Sequence, residues 1–326
     1  MLGARICLRS TLGSQVGGAL ELTAQDSSVW RVSDNLAAWY YVEASRALPE
    51  GAVVSARLGT RDIVLYRAEG KVRALDPYCA HMGARLAGGK VEGAELVCPL
   101  HGWRYRDDGK VAGGKACVRS WPVVERFGAV LVFNGREQLF PPPEPLPQFH
   151  WSASPSTVVR APWYALTANA FDTHHYEAVH RRRLHEPAQV DQADAFRFGC
   201  SYRSYATGSE ISDRVMNWLS GRDIRVRMEC FGGPLFLVRS QLGRRQSALL
   251  VGMEALPDGG TKLRLSVGGP SRGPASLLAR YLYLTFLKRD LEPMTGIRLQ
   301  PFTGLAVDAI MEQFAHYLEG LPEANP

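Results

Sequence analysis

The stretches CAHMGARLAGG (79–89) and CPLHGWRY (98–105) each place one cysteine and one histidine in a short loop that also contains glycine. The spacing is C-x-H in the first loop and C-x-x-H in the second. Two thiolates and two imidazoles are enough to close around a metal centre. The candidate cofactor ligands are Cys79, His81, Cys98 and His101.

A structural zinc site also accepts two cysteines and two histidines, so the ligand types alone leave zinc open. The spacing favours another centre, because each loop supplies one cysteine and one histidine instead of a pair of cysteines. The two loop sequences closely resemble those of Rieske domains. In such domains one iron of a [2Fe–2S] cluster is held by two cysteines and the other by two histidines. The resemblance implies that Cys79 and Cys98 bind one iron, and that His81 and His101 bind the other.

Respiratory Rieske proteins carry an additional cysteine in each loop, and the two form a disulfide. Ala84 and Leu100 stand at those places here. The resemblance is therefore to the cluster of oxygenases and their ferredoxins, which has the lower reduction potential.

A second polar stretch, NAFDTHHYEAVH (169–180), is equally compatible, taken alone, with a metal site and with the polar face of a helix. Residues 163–180 lack glycine and proline and follow Pro162, which predicts a helix. Asn169, Asp172 and His175 would then share one face. His180 lies roughly 140° further round, so the helix must bend, bulge or end between the two histidines if both bind one metal.

Downstream of Rieske-like loops, the pattern N-x-x-D-x-x-H-x-x-x-x-H resembles the catalytic domain of Rieske non-haem iron oxygenases. In that family two histidines and one carboxylate hold a mononuclear iron(II) and leave positions open for dioxygen. The resemblance implies that His175 and His180 are the imidazole ligands and that Asn169 lies near the open face of the iron. Asp172 would be a bridging carboxylate between His175 and the cluster ligand His101 of a neighbouring subunit.

The carboxylate ligand is expected far downstream, where three acids are candidates. Asp308, in LAVDAIMEQF, is favoured because an acid within an apolar stretch is costly unless it is paired or bound to metal. Asp290, in KRDLEP, has charged neighbours and is interpreted as a solvated surface residue. Glu312 is held in reserve.

The 326 residues are 46% hydrophobic, which is enough for two domains of ordinary size. Short alternating strands predict an all-β Rieske domain over 38–140, after an N-terminal extension over 1–37. The proline-rich stretch PPPEPLPQ marks a linker over 141–150. For 151–326 the resemblance implies a helix-grip catalytic domain with an antiparallel sheet. The overall class is α+β.

The net charge of +6 comes without a long run of like charges, which argues against a nucleic-acid arm. No apolar run reaches the roughly 18–20 residues that a membrane span needs, and we expect a cytoplasmic protein. The chain lacks a nicotinamide or flavin fingerprint. The resemblance therefore implies that electrons from NAD(P)H arrive through a separate reductase, a ferredoxin or both.

The expected activity is hydroxylation or oxidative demethylation of a hydrophobic small molecule with O2 as co-substrate. Monooxygenation is favoured over dioxygenation, and the resemblance implies a homotrimer. Two alternatives stay open. One is a Rieske electron carrier without oxygenase activity, and the other is a binding module stabilised by zinc.

Overall fold

The structure is a computed structural model that describes residue 30, residues 32–300 and residues 309–324. The strands, in chain order, are β1 Trp39–Ala44, β2 Val53–Leu58, β3 Arg61–Ala68, β4 Lys71–Leu75, β5 Lys90–Glu92, β6 Glu95–Val97, β7 Arg104–Tyr105, β8 Ser120–Trp121, β9 Val123–Arg126, β10 Ala129–Phe133, β11 His150–Ala153, β12 Thr157–Val159, β13 Arg182–Leu184, β14 Gln189–Asp194, β15 Arg197–Ala206, β16 Ile224–Phe231, β17 Leu235–Leu242, β18 Arg245–Ala255 and β19 Thr261–Gly269. The helices are α1 Trp163–Phe171, α2 Thr173–Ala178, α3 Ile211–Ser220, α4 Pro274–Met294 and α5 Ala309–Glu319.

The N-terminal part is built from small antiparallel sheets with the strand orders β1-β10-β9, β2-β3-β4-β8 and β5-β6-β7. The short strands expected within residues 38–140 are confirmed. The first Cys-His loop follows β4, and the second joins β6 to β7. Each loop therefore begins at the end of a short strand whose position is fixed by hydrogen bonds to its neighbours.

The C-terminal part is a nine-stranded antiparallel sheet in which β11, β19, β18, β17, β16, β15 and β13 are successive neighbours. Strand β12 also pairs with β19, and β14 also pairs with β15. The α+β class with an antiparallel sheet is thereby confirmed. Because side chains alternate between the two faces of a strand, one face of β16–β18 is apolar and the helices cover it.

Aromatic contacts join the two parts of the chain across the predicted linker. The ring of Phe133 in β10 contacts Phe140, with ring centroids 5.6 Å apart. Phe140 in turn stacks on Phe196, just before β15, at 4.7 Å. All three belong to or pack on one continuous hydrophobic core.

The helical predictions need two corrections. The single helix expected over 163–180 is wrong, because Asp172 has an extended conformation (ψ 98°) and separates α1 from α2. Helices α3 and α4 were not predicted, and the segment around Asp290 was interpreted as a solvated surface. No helix in the described part of the chain combines the length and apolarity needed to cross a membrane.

Candidate active site

The two Cys-His loops have the same backbone geometry. In each loop, the N–H of the cysteine donates a hydrogen bond of 2.8 Å to the carbonyl of the residue five positions later. The glycine four positions after the cysteine donates its N–H to the carbonyl of the cysteine. These glycines, Gly83 and Gly102, have φ angles of 70° and 72°. A side chain would be strained in that region, so the glycines allow both loops to turn tightly around one centre.

The four candidate ligands of the loops form two pairs. Cys79 and Cys98 are buried, and their side chains are close neighbours inside the domain. His81 and His101 are exposed, with ring centroids 4.8 Å apart. Within the described residues, no three of these donor atoms lie within 4.8 Å of one another. A single zinc ion holds all four donors about 3–4 Å apart, so this arrangement fits a two-iron cluster better than zinc.

Tyr105 supports the first cysteine from inside the domain. Its hydroxyl accepts a hydrogen bond from the N–H of Ala80 at 2.9 Å and lies 3.1 Å from Cys79 Sγ. The phenolic proton can therefore point at the sulfur. Burial opposes ionisation of Cys79, but Tyr105 and the loop amides outweigh it and lower the pKa of the thiol. The thiolate is the form that binds metal.

A second group of donors lies in the C-terminal part and consists of His175, His180 and Asp290. Asp290 Oδ1 lies 2.7 Å from Nε2 of each histidine, and the two Nε2 atoms are 3.2 Å apart. An octahedral ion with bonds of about 2.1 Å holds adjacent donors about 3 Å apart. Two imidazoles and one carboxylate at these distances fit three facial positions around one iron and leave the opposite side free.

Three elements bring these donors together. His175 lies in α2, which ends at Ala178, and His180 follows the end of the helix. The expectation that the helix must be interrupted between the two histidines is confirmed. Asp290 comes from α4, more than one hundred residues later in the chain.

The position of Asp290 corrects the interpretation of its surroundings. Its side chain is only 17% exposed, whereas those of Lys288 and Glu292 are 79% and 73% exposed. Residues two positions away lie on the opposite side of a helix, so charged sequence neighbours do not imply a solvated aspartate. Asp308, the favoured candidate, lies outside the described residues. Glu312 lies in α5 and is not part of the group of donors.

Asn169 and Asp172 flank this group in different ways. Asn169 Nδ2 donates to Asp290 Oδ1 at 3.2 Å and lies 3.4 Å from His175 Nε2. Asp172 Oδ1 accepts hydrogen bonds from the backbone N–H groups of His174 and His175 at 3.0 and 3.1 Å. Asp172 is therefore the N-cap of α2, and its bridging role stays a prediction.

Burial and pairing set the protonation of the donors. Burial lowers the pKa of His180 and outweighs the pull of Asp290 in the opposite direction, which favours the neutral imidazole. For Asp290 burial raises the pKa, but its hydrogen bonds to His175 and His180 outweigh that effect and lower it. Neutral imidazole and ionised carboxylate are the forms that bind a metal.

An apolar cavity opens beside these donors, with an empty volume of about 1180 Å³, mouth included. Asn169, His180 and Asp290 form part of its wall. Most of the remaining wall is aliphatic or aromatic and comes from β16–β18 and α4. Sequence analysis did not identify α4 as part of this wall, although its leucines recur along the helix.

Comparison with known proteins gives a family match for the part of the chain that contains the two Cys-His loops. Residues 38–127 match the model of the Rieske [2Fe-2S] domain. The chain is 35% identical to the cholesterol 7-desaturase of Bombyx mori over 162 residues, which cover 45% of this chain and 36% of that protein. It is 33% identical to a 3-ketosteroid-9-alpha-monooxygenase oxygenase component of Rhodococcus rhodochrous over 115 residues, covering 32% and 30%. The chain thus spans about a third of the length of these curated relatives.

Solved structures match over most of the chain. The Pseudomonas putida protein NdmA with caffeine superimposes with a TM-score of 0.67 at 16% identity, over 86% of this chain and 88% of that one. Dicamba monooxygenase bound to dicamba superimposes with a TM-score of 0.63 at 17% identity, over 90% and 97%. At this identity the likeness concerns the fold.

Proposed function

Since the chain contains a Rieske [2Fe–2S] domain and has the fold of Rieske oxygenase alpha subunits, we propose that it is the oxygenase component of a Rieske monooxygenase. In this proposal it uses O2 and external electrons to hydroxylate or oxidatively demethylate a hydrophobic substrate. The curated relatives named for cholesterol and ketosteroids support a steroid-like molecule as the first class to test.

The observation that carries this proposal is the approach of Asp290 Oδ1 to both imidazoles at 2.7 Å, at the wall of an apolar cavity. We assign His175, His180 and Asp290 as the ligands of a mononuclear iron(II). Asp290 replaces Asp308 in this assignment, because its carboxylate is already beside the histidines. A bound iron(II) supplies the activation of dioxygen.

The remaining residues prepare the site for that chemistry. Asn169 donates to Asp290 and so orients the carboxylate toward the two imidazoles. The apolar wall excludes water, and it favours the transfer of a hydrophobic substrate from water into the cavity. Cys79 and Cys98 are assigned to one iron of the cluster, and His81 and His101 to the other.

Electrons have to come from outside the chain, and we assign their supply to NAD(P)H through a separate reductase, a ferredoxin or both. The exposed histidines of the cluster loops are flanked by Met82 and Leu100, which are 68% and 56% exposed. Met82 and Leu100 form an apolar tip that can pack against a partner protein. The histidines through which an electron would enter or leave the cluster lie within this contact. We propose that a homotrimer brings this tip to the Asp172 side of a neighbouring subunit.

The electron-carrier alternative leaves the donors around Asp290 and the cavity without a role. The zinc alternative conflicts with the spread of the four loop donors. Both are decided by the metal content and by the absorption spectrum of the purified protein.

The test is iron counting on anaerobically purified protein. Wild type should hold about three irons per chain, two in the cluster and one at the second site. Asp290→Ala should hold about two, keep the visible spectrum of the cluster and lose substrate turnover. Glu292→Gln, an exposed substitution two residues away, is the matched control and should keep all three. Two irons in wild type, or three in Asp290→Ala, would reject the assignment.

A further inference from the structure

We propose that three hydroxyl groups at one end of the cavity bind a hydroxyl or ketone oxygen of an otherwise apolar substrate, and thereby select the carbon that is oxidised. This hydroxyl cluster consists of Ser240, Ser247 and Tyr283. The inference rests on the proposed oxygenase function and narrows its substrate class to hydrophobic molecules that carry an oxygen function.

The register of the sheet brings the two serines together on the cavity side. Ser240 in β17 is the direct antiparallel partner of Ser247 in β18. The next pair on the same face is Val238 with Leu249, and both of these side chains line the cavity. Since positions two apart share a face of a strand, the serine hydroxyls point to the same space.

Tyr283 reaches this pair from helix α4. Its hydroxyl lies 3.3 Å from Ser247 Oγ, and Ser240 is the cross-strand partner of that serine. Burial raises the pKa of Tyr283, so the phenol is a neutral donor at physiological pH. All three residues are half-buried, which leaves part of each side chain facing the cavity.

The cluster keeps unused hydrogen-bonding capacity. Each hydroxyl has one donor proton and two lone pairs, and the contact of Tyr283 with Ser247 uses one of the three donors. The other O–H groups and several lone pairs stay available to a ligand. A ketone oxygen needs one donor, and a ligand hydroxyl can also donate to a lone pair.

Another hydroxyl of the cavity wall is already engaged with the protein. Tyr176 donates to the carbonyl of Ala170, and its ring packs against that of Tyr202 with centroids 4.8 Å apart. The walls next to the hydroxyl cluster are aliphatic, with Leu242, Leu249 and Val238. A substrate oxygen that enters this end of the cavity loses its hydrogen bonds to water. At this end only the hydroxyl cluster can replace them.

Helix α4 also fixes the distance from the cluster to the proposed iron ligands. Tyr283 and Asp290 are seven residues apart, which brings them to the same face two turns apart, about 10 Å along the helix axis. Phe286 and Leu287 lie between them and line the cavity. A substrate held by its oxygen at the cluster therefore presents a carbon on the order of 10 Å away to the metal site.

The first test compares the binding of two probes of the same shape, 5α-androstan-3-one and the hydrocarbon 5α-androstane, by equilibrium dialysis against the purified holoenzyme. Wild type should bind the ketone about tenfold more tightly, as one added hydrogen bond to a buried oxygen allows. Tyr283→Phe, and Ser240→Ala combined with Ser247→Ala, should reduce the ratio to about twofold or less. Tyr281→Phe, a 53% exposed tyrosine of the same helix, should leave it unchanged.

Turnover provides the second readout. If the ketone is oxidised, Tyr283→Phe should raise KM and produce a mixture of positions, with little change in the coupling of O2 to product at saturation. Equal binding of both probes by wild type, including no binding of either, overturns the inference. So does an unchanged ratio in Tyr283→Phe. Neither result affects the iron count, so failure here is distinct from failure of the oxygenase assignment.

Discussion

The imidazole of His180 stacks on the phenyl ring of Phe286, with centroids 3.6 Å apart and planes 7° from parallel. The ring of His180 follows the end of α2, and that of Phe286 comes from the middle of α4. Phe286 precedes Asp290 by one helical turn, so the same helix supplies a ligand and the surface that fixes another ligand. Helix α4 is therefore the element on which the geometry of the proposed iron site depends.

The first prediction concerns this stack. Phe286→Ala should lower the affinity for the mononuclear iron at least tenfold, because the ring of His180 loses the surface that fixes its orientation. The same substitution should also lower the unfolding free energy by about 2 kcal/mol, because it removes a half-buried side chain. Iron titration and thermal unfolding measure the two effects. Leu277→Ala, 66% exposed on the same helix, should change neither, and a Phe286→Ala protein with unchanged iron affinity would contradict the role of the stack.

The second prediction concerns the hydroxyl of Tyr105 beside Cys79 Sγ. A donor to sulfur stabilises the more negative, reduced cluster, so Tyr105→Phe should lower the reduction potential, on the order of 50 mV. Redox titration followed by visible absorption measures the shift. Tyr66→Phe is the matched control, since Tyr66 is buried in the same core and no described residue bonds its hydroxyl. A shift of equal size in both variants would assign the effect to packing.

These contacts show how much of the structure could be predicted from the sequence. The Cys-His loops were predictable because each motif is local and its glycines are required by the turn, as the φ angles of Gly83 and Gly102 illustrate. The alternation in β2–β4 identified strands for the same reason. The pairing of α4 with the histidines was not predictable from local pattern, since more than one hundred residues intervene.

Helix α4 was missed for a further physical reason. Its apolar residues surround the helix instead of forming one stripe: Leu277 and Tyr281 are exposed, while Leu287 faces the cavity. Without a stripe, no helical face could be assigned, and Asp290 was judged by its charged neighbours in sequence. The break at Asp172 was missed because the absence of glycine and proline suggested continuity, whereas an aspartate can end one helix and cap the next.

The third prediction is a pH dependence of stability in the N-terminal part. Arg67 donates two hydrogen bonds to Glu125, at 2.6 and 2.9 Å, and Ser45 donates a third. Burial raises the pKa of Glu125, but these bonds outweigh it and lower the pKa below its ordinary value. The stabilisation is therefore complete above the unfolded pKa of about 4.3 and is lost as the pH falls through the folded value.

Glu125→Gln should accordingly reduce the unfolding free energy by about 1 kcal/mol at pH 7. The difference from wild type should shrink as the pH falls below about 4. Denaturant unfolding at a series of pH values measures it. Glu137→Gln, at an exposed position, is the control, and a difference that grows toward acid pH would refute the assignment.

The last prediction separates two roles of Asp172. Its Oδ1 caps α2 through the N–H groups of His174 and His175, and asparagine caps a helix about as well as aspartate. Asp172→Asn should therefore keep the fold and the full iron content, whereas Asp172→Ala should lose about 1 kcal/mol of unfolding free energy.

If the carboxylate of Asp172 also bridges to the cluster of a neighbouring subunit, as we propose, Asp172→Asn should still abolish turnover. Single-turnover reduction of the cluster should stay normal while product formation stops. Wild-type turnover in Asp172→Asn would leave the cap as the whole role of this residue and would remove the support for electron transfer between subunits at this point.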